Sequence, residues 1–79
     1  MRSKQLEVSE KLYLLAKKQF YELKTITREE YLEVLELILK RLNKAELEYD
    51  QLKILDGIFA QKNYQIDLKD TINYALSMN

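Results

Sequence analysis

The sequence predicts an all-α protein, a compact bundle of three to four helices formed by one domain over residues 1–79. The chain has one glycine and no proline, whereas an all-β fold needs turn residues at intervals of about ten. Its apolar residues recur at the three- and four-residue spacing of an amphipathic helix. A content of 47% apolar and 33% charged residues is typical of a folded chain and argues against intrinsic disorder.

The first helix is predicted over residues 4–24. Its apolar residues form one stripe, with Tyr13 and Phe20 at the edges. The predicted core positions of this stripe are Val8, Leu12, Leu15, Ala16 and Leu23.

The second helix is predicted over residues 28–42. Thr27 and Glu30 have the spacing of a capping box, in which each side chain bonds the backbone of the other residue. Ile26 and Tyr31 are placed as a hydrophobic staple around that start. The predicted core positions are Tyr31, Leu32, Leu35, Ile38, Leu39 and Leu42.

The third helix is predicted over residues 44–62. Asn43 and Glu46 repeat the capping spacing, so we expect the chain to turn at Asn43 with almost no loop. The alternative is one continuous helix from residue 27 to about residue 63, because Asn is only mildly unfavourable inside a helix.

Gly57 leaves two interpretations of the third helix. The apolar pattern continues through Ile58 and Phe59, which favours a helix that passes through Gly57. The alternative is that Gly57 ends the helix early, since glycine is the common stop residue.

Apolar side chains cover well over half of the circumference of the third helix, and such a helix must be covered on two sides. We therefore expect it to be the central helix of the bundle. The alternative is that part of it is bare and is covered by a second chain or by a target protein.

The fourth helix is predicted over residues 68–78. Asp67 and Asp70 put acidic groups at its first turn, where the helix dipole favours them. The predicted core positions are Leu68, Ile72, Ala75 and Leu76.

Several side chains fall outside the predicted core or exceed what it needs. Leu14 and Tyr21 lie opposite the core stripe of the first helix, flanked by Lys17 and Lys18. Leu37 is likewise opposite the stripe of the second helix. The full set of candidate partner-binding residues is Leu14, Lys17, Lys18, Tyr21, Leu37, Leu47, Ile54, Ile58, Tyr64 and Tyr74.

The sequence contains no recognisable catalytic motif. Without histidine or cysteine, the chain lacks the commonest general base and the usual zinc ligands. No phosphate-binding glycine loop and no nucleophile–base pair occurs. The carboxylates Glu29, Glu33 and Glu36 share one side of the second helix but oppose its apolar stripe, as on a solvated surface. We expect no enzyme activity, no cofactor and no metal site.

Charge argues against a dedicated nucleic-acid binder. Thirteen basic residues balance thirteen acidic ones, and the third helix, which would be the recognition helix of a helix-turn-helix, is net acidic. No apolar run approaches the roughly 18 residues of a membrane span, and the N-terminal sequence has no apolar signal segment. We expect no membrane insertion and a cytoplasmic location.

The predicted function is that of a small non-catalytic module that docks a helix face on another protein, as a bacterial or phage regulator or inhibitor would. A homodimer is compatible with this function. The alternatives are a self-assembling structural subunit and a nucleic-acid-associated protein that uses the more basic first helix.

Overall fold

The computed structural model describes residues 3–78, and residues 1, 2 and 79 of the predicted domain lie outside the described part. The described chain forms four helices and no strand, which confirms the all-α prediction. Helix α1 spans Lys4–Lys17 and continues into a π-helical segment at Lys18–Glu22. Helix α2 spans Arg28–Leu37 and continues into a second π-helical segment at Ile38–Leu42. Helix α3 spans Tyr49–Gln61, and α4 spans Leu68–Leu76.

Two of the predicted helix starts are confirmed. The Thr27 hydroxyl accepts from the backbone N–H of Glu30 at 3.1 Å, and the Glu30 carboxylate accepts from that of Thr27 at 2.8 Å. At α4 the Asp67 carboxylate accepts from the backbone N–H of Asp70 at 3.0 Å. In both cases a side chain next to the helix satisfies a donor that has no partner in the first turn.

The predicted start of the third helix at Asn43 is wrong, and so is the alternative of a continuous helix. Asn43 ends the second π-helical segment, and its side chain accepts from the Ser9 hydroxyl of α1. Helix α3 begins at Tyr49 instead of residue 44. The residue before it, Glu48, forms a capping box with Gln51. The capping spacing at Asn43 goes unused because α1 binds the Asn43 side chain.

The turn between α2 and α3 is fastened to the first helix. The Gln5 amide of α1 donates to the carbonyl oxygens of Leu42 at 2.9 Å and Ala45 at 2.6 Å. The end of α2 thereby lies beside the start of α1. The first two helices therefore form an antiparallel hairpin.

The prediction that the third helix passes through Gly57 is confirmed, since Gly57 lies inside α3. The prediction that this helix is central is wrong. α1 packs against α2 and α3, and α4 packs against the same two helices, so α3 lies diagonally across the bundle from α2. The core lies between all four helices and consists of Val8, Leu12, Leu15, Ala16, Tyr31, Val34, Ile38, Leu42, Leu55, Ile58, Leu68, Ile72 and Ala75.

Three predicted core residues are exposed. Leu32 keeps 48% of its surface in contact with solvent, Leu39 keeps 62%, and Leu23 at the end of the first π-helical segment keeps 38%. Val34, which the predicted stripe omitted, is buried instead. Helix α2 is thus rotated from the predicted orientation, and one flank of its apolar surface faces outward beside α1.

Within residues 3–78, no helix is both long enough and apolar enough to cross a bilayer.

Candidate protein-interaction face

The structure brings together part of the predicted partner-binding set on α1. Leu14 and Tyr21 are each 59% exposed, and Lys17 is exposed between them. Lys18 points elsewhere. Its ammonium lies 3.9 Å from the Glu22 carboxylate and 5.4 Å from the centre of the Tyr64 ring.

The other predicted residues are spread over the molecule. Ile58 of α3 belongs to the core, and Ile54 of α3 is half-buried against it. Leu47, which lies in the loop before α3, is half-buried against the core as well. Leu37 lines a cleft between α2 and α4. Tyr64 is exposed in the loop before α4, and Tyr74 is exposed on α4 itself.

The exposed side of α1 carries a stripe of side chains that we call the α1 stripe. Its six members are Leu6, Glu10, Tyr13, Leu14, Lys17 and Tyr21, and all are exposed. Apart from the adjacent Tyr13 and Leu14, they recur at intervals of three and four residues, which places them on one face of a helix. Four of the six are large apolar side chains, so this face is unusually apolar for a solvent-exposed surface.

The π-helical end of α1 directs the last member of the stripe toward α2. A π-helical turn is wider than an α-helical one, and it rotates the following side chains relative to a regular helix. The Tyr21 ring contacts the Phe20 ring at 4.8 Å and the Tyr31 ring at 5.8 Å, both edge to face. The Phe20 and Tyr31 rings are stacked at 4.8 Å. Tyr21 is therefore held in position by the start of α2 while most of its surface stays in solvent.

Tyr31 anchors this aromatic cluster from within the core. Burial raises the pKa of its phenol above the ordinary value of 10.0, and the nearby Tyr13 and Tyr21 phenols raise it further. The Tyr31 hydroxyl consequently stays protonated and neutral throughout the physiological pH range. Near Tyr13 and Tyr21, the α1 stripe thus rests on a neutral aromatic cluster, and Lys17 is its charged member at this end.

Helix α2 extends the apolar surface beyond α1. Leu32 and Leu39 are exposed and Leu35 is half-buried, and their spacing of three and four residues puts them on one flank of α2. Leu35 and Leu39 line a groove of about 260 Å³ whose other wall includes Leu6 and Tyr13. We call the α1 stripe together with Leu32, Leu35 and Leu39 the α1–α2 face.

Sequence reasoning missed the α2 half of this face because it assigned the three leucines to the core. A signal was available, since helix 2 carries more apolar residues than one stripe can hold. They are Tyr31, Leu32, Val34, Leu35, Leu37, Ile38, Leu39 and Leu42. Such a surplus predicts an exposed flank. Which flank is exposed depends on how the helix is rotated in the bundle.

A polar cleft with a volume of about 410 Å³ lies between the start of α2 and the start of α4. Three of the four carboxylates that line it are bonded to groups of the chain itself. Glu30 and Asp67 cap their own helices, and Glu33 accepts from the Lys69 ammonium at 2.6 Å. These three carboxylates therefore contribute to helix capping and to the contact between α2 and α4.

Within residues 3–78, the structure contains no group of three or more acidic, histidine or cysteine side chains that could hold a metal ion. The arrangement of side chains on the α1–α2 face suits non-covalent contact with another apolar surface. No family model matches the sequence, and neither a curated protein nor a solved structure is significantly similar to it.

Proposed function

We propose that this chain is a non-catalytic protein–protein interaction module that binds a partner helix on its α1–α2 face. The observation that carries the proposal is the run of exposed apolar side chains on two adjacent helices, with a groove between them. Contiguous apolar surface rimmed by charged groups is typical of a protein-binding surface. A small regulator or inhibitor acts in this way, by covering a surface of its partner.

The geometry of the groove supports a helix as the bound element. Leu6 and Tyr13 form one wall and Leu35 and Leu39 the other, so the groove runs between two antiparallel helices. An amphipathic helix that lies along such a groove inserts apolar side chains at intervals of three and four residues. Gln5 and Ser9 of α1 are hydrogen-bonded to the end of α2, which joins the two walls of the groove at that end.

Site-specific photo-cross-linking tests the proposal. Leu39, at 62% exposure, is replaced by benzoylphenylalanine, and Asp50, an exposed residue on α3, is replaced in a matched control. Circular dichroism confirms that both variants are folded. Irradiation of the purified protein and of an extract from its native host should yield defined adducts from position 39 only. Equal adduct formation at positions 39 and 50 in both samples would overturn the proposal.

A further inference from the structure

We infer that the α1–α2 face is covered by a second copy of this chain, and that the two α1 helices pack antiparallel about a two-fold axis midway between Tyr13 and Leu14. The inference rests on the proposed function, keeps the α1–α2 face as the binding surface and names the partner, whose α1 lies over α1 rather than along the groove. It follows from the arrangement of side chains along the α1 stripe.

The α1 stripe is complementary to itself when one copy is reversed. A two-fold axis between Tyr13 and Leu14 places Leu6 opposite Tyr21 of the second copy, so that an apolar side chain meets an apolar side chain at each end. The same axis places Glu10 opposite Lys17. Tyr13 and Leu14 meet their own counterparts at the centre. A two-fold interface requires this kind of self-complementary surface.

The charge pattern selects the antiparallel arrangement over the parallel one. In the antiparallel pair each Glu10 carboxylate faces a Lys17 ammonium, and the symmetry repeats the attraction twice. In a parallel pair Glu10 would face Glu10 and Lys17 would face Lys17, which is repulsive at both levels. Glu10 also interacts within its own chain. A carboxylate has about four acceptor positions and can serve both partners.

Helix α2 enlarges the contact in the same arrangement. With the axis in the plane of the interface, α2 of one copy lies over α2 of the other. Leu35 and Leu39, which line the same groove as Tyr13, then join the contact. A standard interface takes about 800 Å² from each partner. This is roughly a seventh of the 5570 Å² surface of the described chain, an area that two adjacent helices of a four-helix bundle can supply.

The size of the chain makes self-association advantageous. A domain of this length buries only about 60% of its unfolded surface, so its stability margin is small. Burial of Leu14, Tyr21 and Leu39 against a second copy would remove three of its most exposed apolar side chains from water.

Solution mass is the first test. Sedimentation of the purified protein over a roughly hundredfold concentration range should show twice the 9.5 kDa mass of one chain, with dissociation at the lowest concentrations. Glu10→Lys and Lys17→Glu should each weaken the dimer at least about fivefold in Kd, because each places like charges together at two symmetric positions. The double variant Glu10→Lys/Lys17→Glu exchanges the partners and should restore the dimer.

Cysteine cross-linking fixes the orientation, since the chain has no native cysteine. Leu14→Cys should form a disulfide-linked dimer on oxidation, whereas Lys53→Cys on α3 should not. A mixture of Leu6→Cys and Tyr21→Cys proteins should form the mixed dimer. Each of these two variants alone should stay unlinked, because the antiparallel arrangement separates like positions by about 20 Å.

The outcomes separate this inference from the proposed function. A monomer at every concentration, or a dimer in which Leu6→Cys links to itself and double charge reversal restores nothing, would overturn the antiparallel dimer. If position 39 still forms adducts with another protein in the host extract, the interaction module stands without the dimer. If position 39 forms no specific adduct and the chain is monomeric, both proposals fail.

Discussion

The side-chain amide of Gln51, in the first turn of α3, donates a 2.9 Å hydrogen bond to the carbonyl oxygen of Ala75 in α4. Its carbonyl oxygen accepts from the backbone N–H of Glu48 at 2.7 Å, which completes the cap of α3. Gln51 is almost fully buried. One side chain thus satisfies a helix start and a carbonyl near the end of the neighbouring helix.

Replacement of Gln51 by alanine should therefore destabilise the fold. The change leaves the buried Ala75 carbonyl oxygen without this donor and removes half of the capping box, so we expect a loss of about 1–3 kcal/mol in the free energy of unfolding. Urea unfolding followed by circular dichroism measures it. Gln61→Ala, at the exposed end of the same helix, is the matched control. Equal stability of the two variants would show that the Gln51 bonds contribute nothing.

Gly57 should be replaceable by alanine with a gain in stability. A methyl group at this position would have no heavy atom within 4 Å beyond its own helix and immediate neighbours, and the backbone is helical. Alanine restricts the unfolded chain more than glycine does, so we expect a gain of about 0.5–1 kcal/mol. Thermal and urea unfolding should agree on the sign. A destabilised Gly57→Ala variant would mean that another backbone or chain approaches this face closely.

Replacement of Lys62 by glycine should stabilise the fold. It ends α3 in the left-handed conformation, with a φ of 54° that costs energy for a residue with a side chain. We expect Lys62→Gly to stabilise the fold by up to about 1 kcal/mol. Gln61→Gly, one residue earlier and still helical, should destabilise it by a similar amount. The opposite signs at adjacent positions are the diagnostic result.

Asp56 should make the stability depend on pH in the acidic range. The Lys4 ammonium, at 3.1 Å, hydrogen-bonds the Asp56 carboxylate and lowers its pKa below the ordinary 3.8, and Lys11 at 3.5 Å adds to the effect. A carboxyl group with a lowered folded pKa stabilises the fold above its unfolded pKa. That contribution is lost as the pH falls through the folded pKa.

The difference in the free energy of unfolding between the original chain and Asp56→Asn, measured as a function of pH, gives this contribution. Because the Asp56 side chain is 35% exposed and screened by solvent, we expect less than about 1 kcal/mol near neutral pH. The difference should shrink below pH 3.8 and in high salt. Glu46→Gln, in the exposed loop before α3, is the control. A difference between the original chain and Asp56→Asn that is constant with pH would contradict the assignment.

Local sequence signals predicted the helix starts correctly where the capping residue and the residue that it bonds are close together in the chain. Thr27 and Glu30 cap each other across three residues, and Asp67 caps α4 in the same way, so both starts follow from spacing alone. The Asn43 start failed because a residue 34 positions away competes for the side chain. No local pattern contains that information.

The sequence by itself determined the all-α class, the approximate bounds of the first, second and fourth helices and the exposure of Leu14 and Tyr21, because helical periodicity and capping depend on residues three or four apart. Only the tertiary structure decided which flank of α2 faces outward. A helix with more apolar residues than one stripe needs has several acceptable rotations, and packing against α1 and α4 selects among them. That rotation buries Val34, exposes Leu32 and Leu39, and joins them to the α1 stripe in a single face.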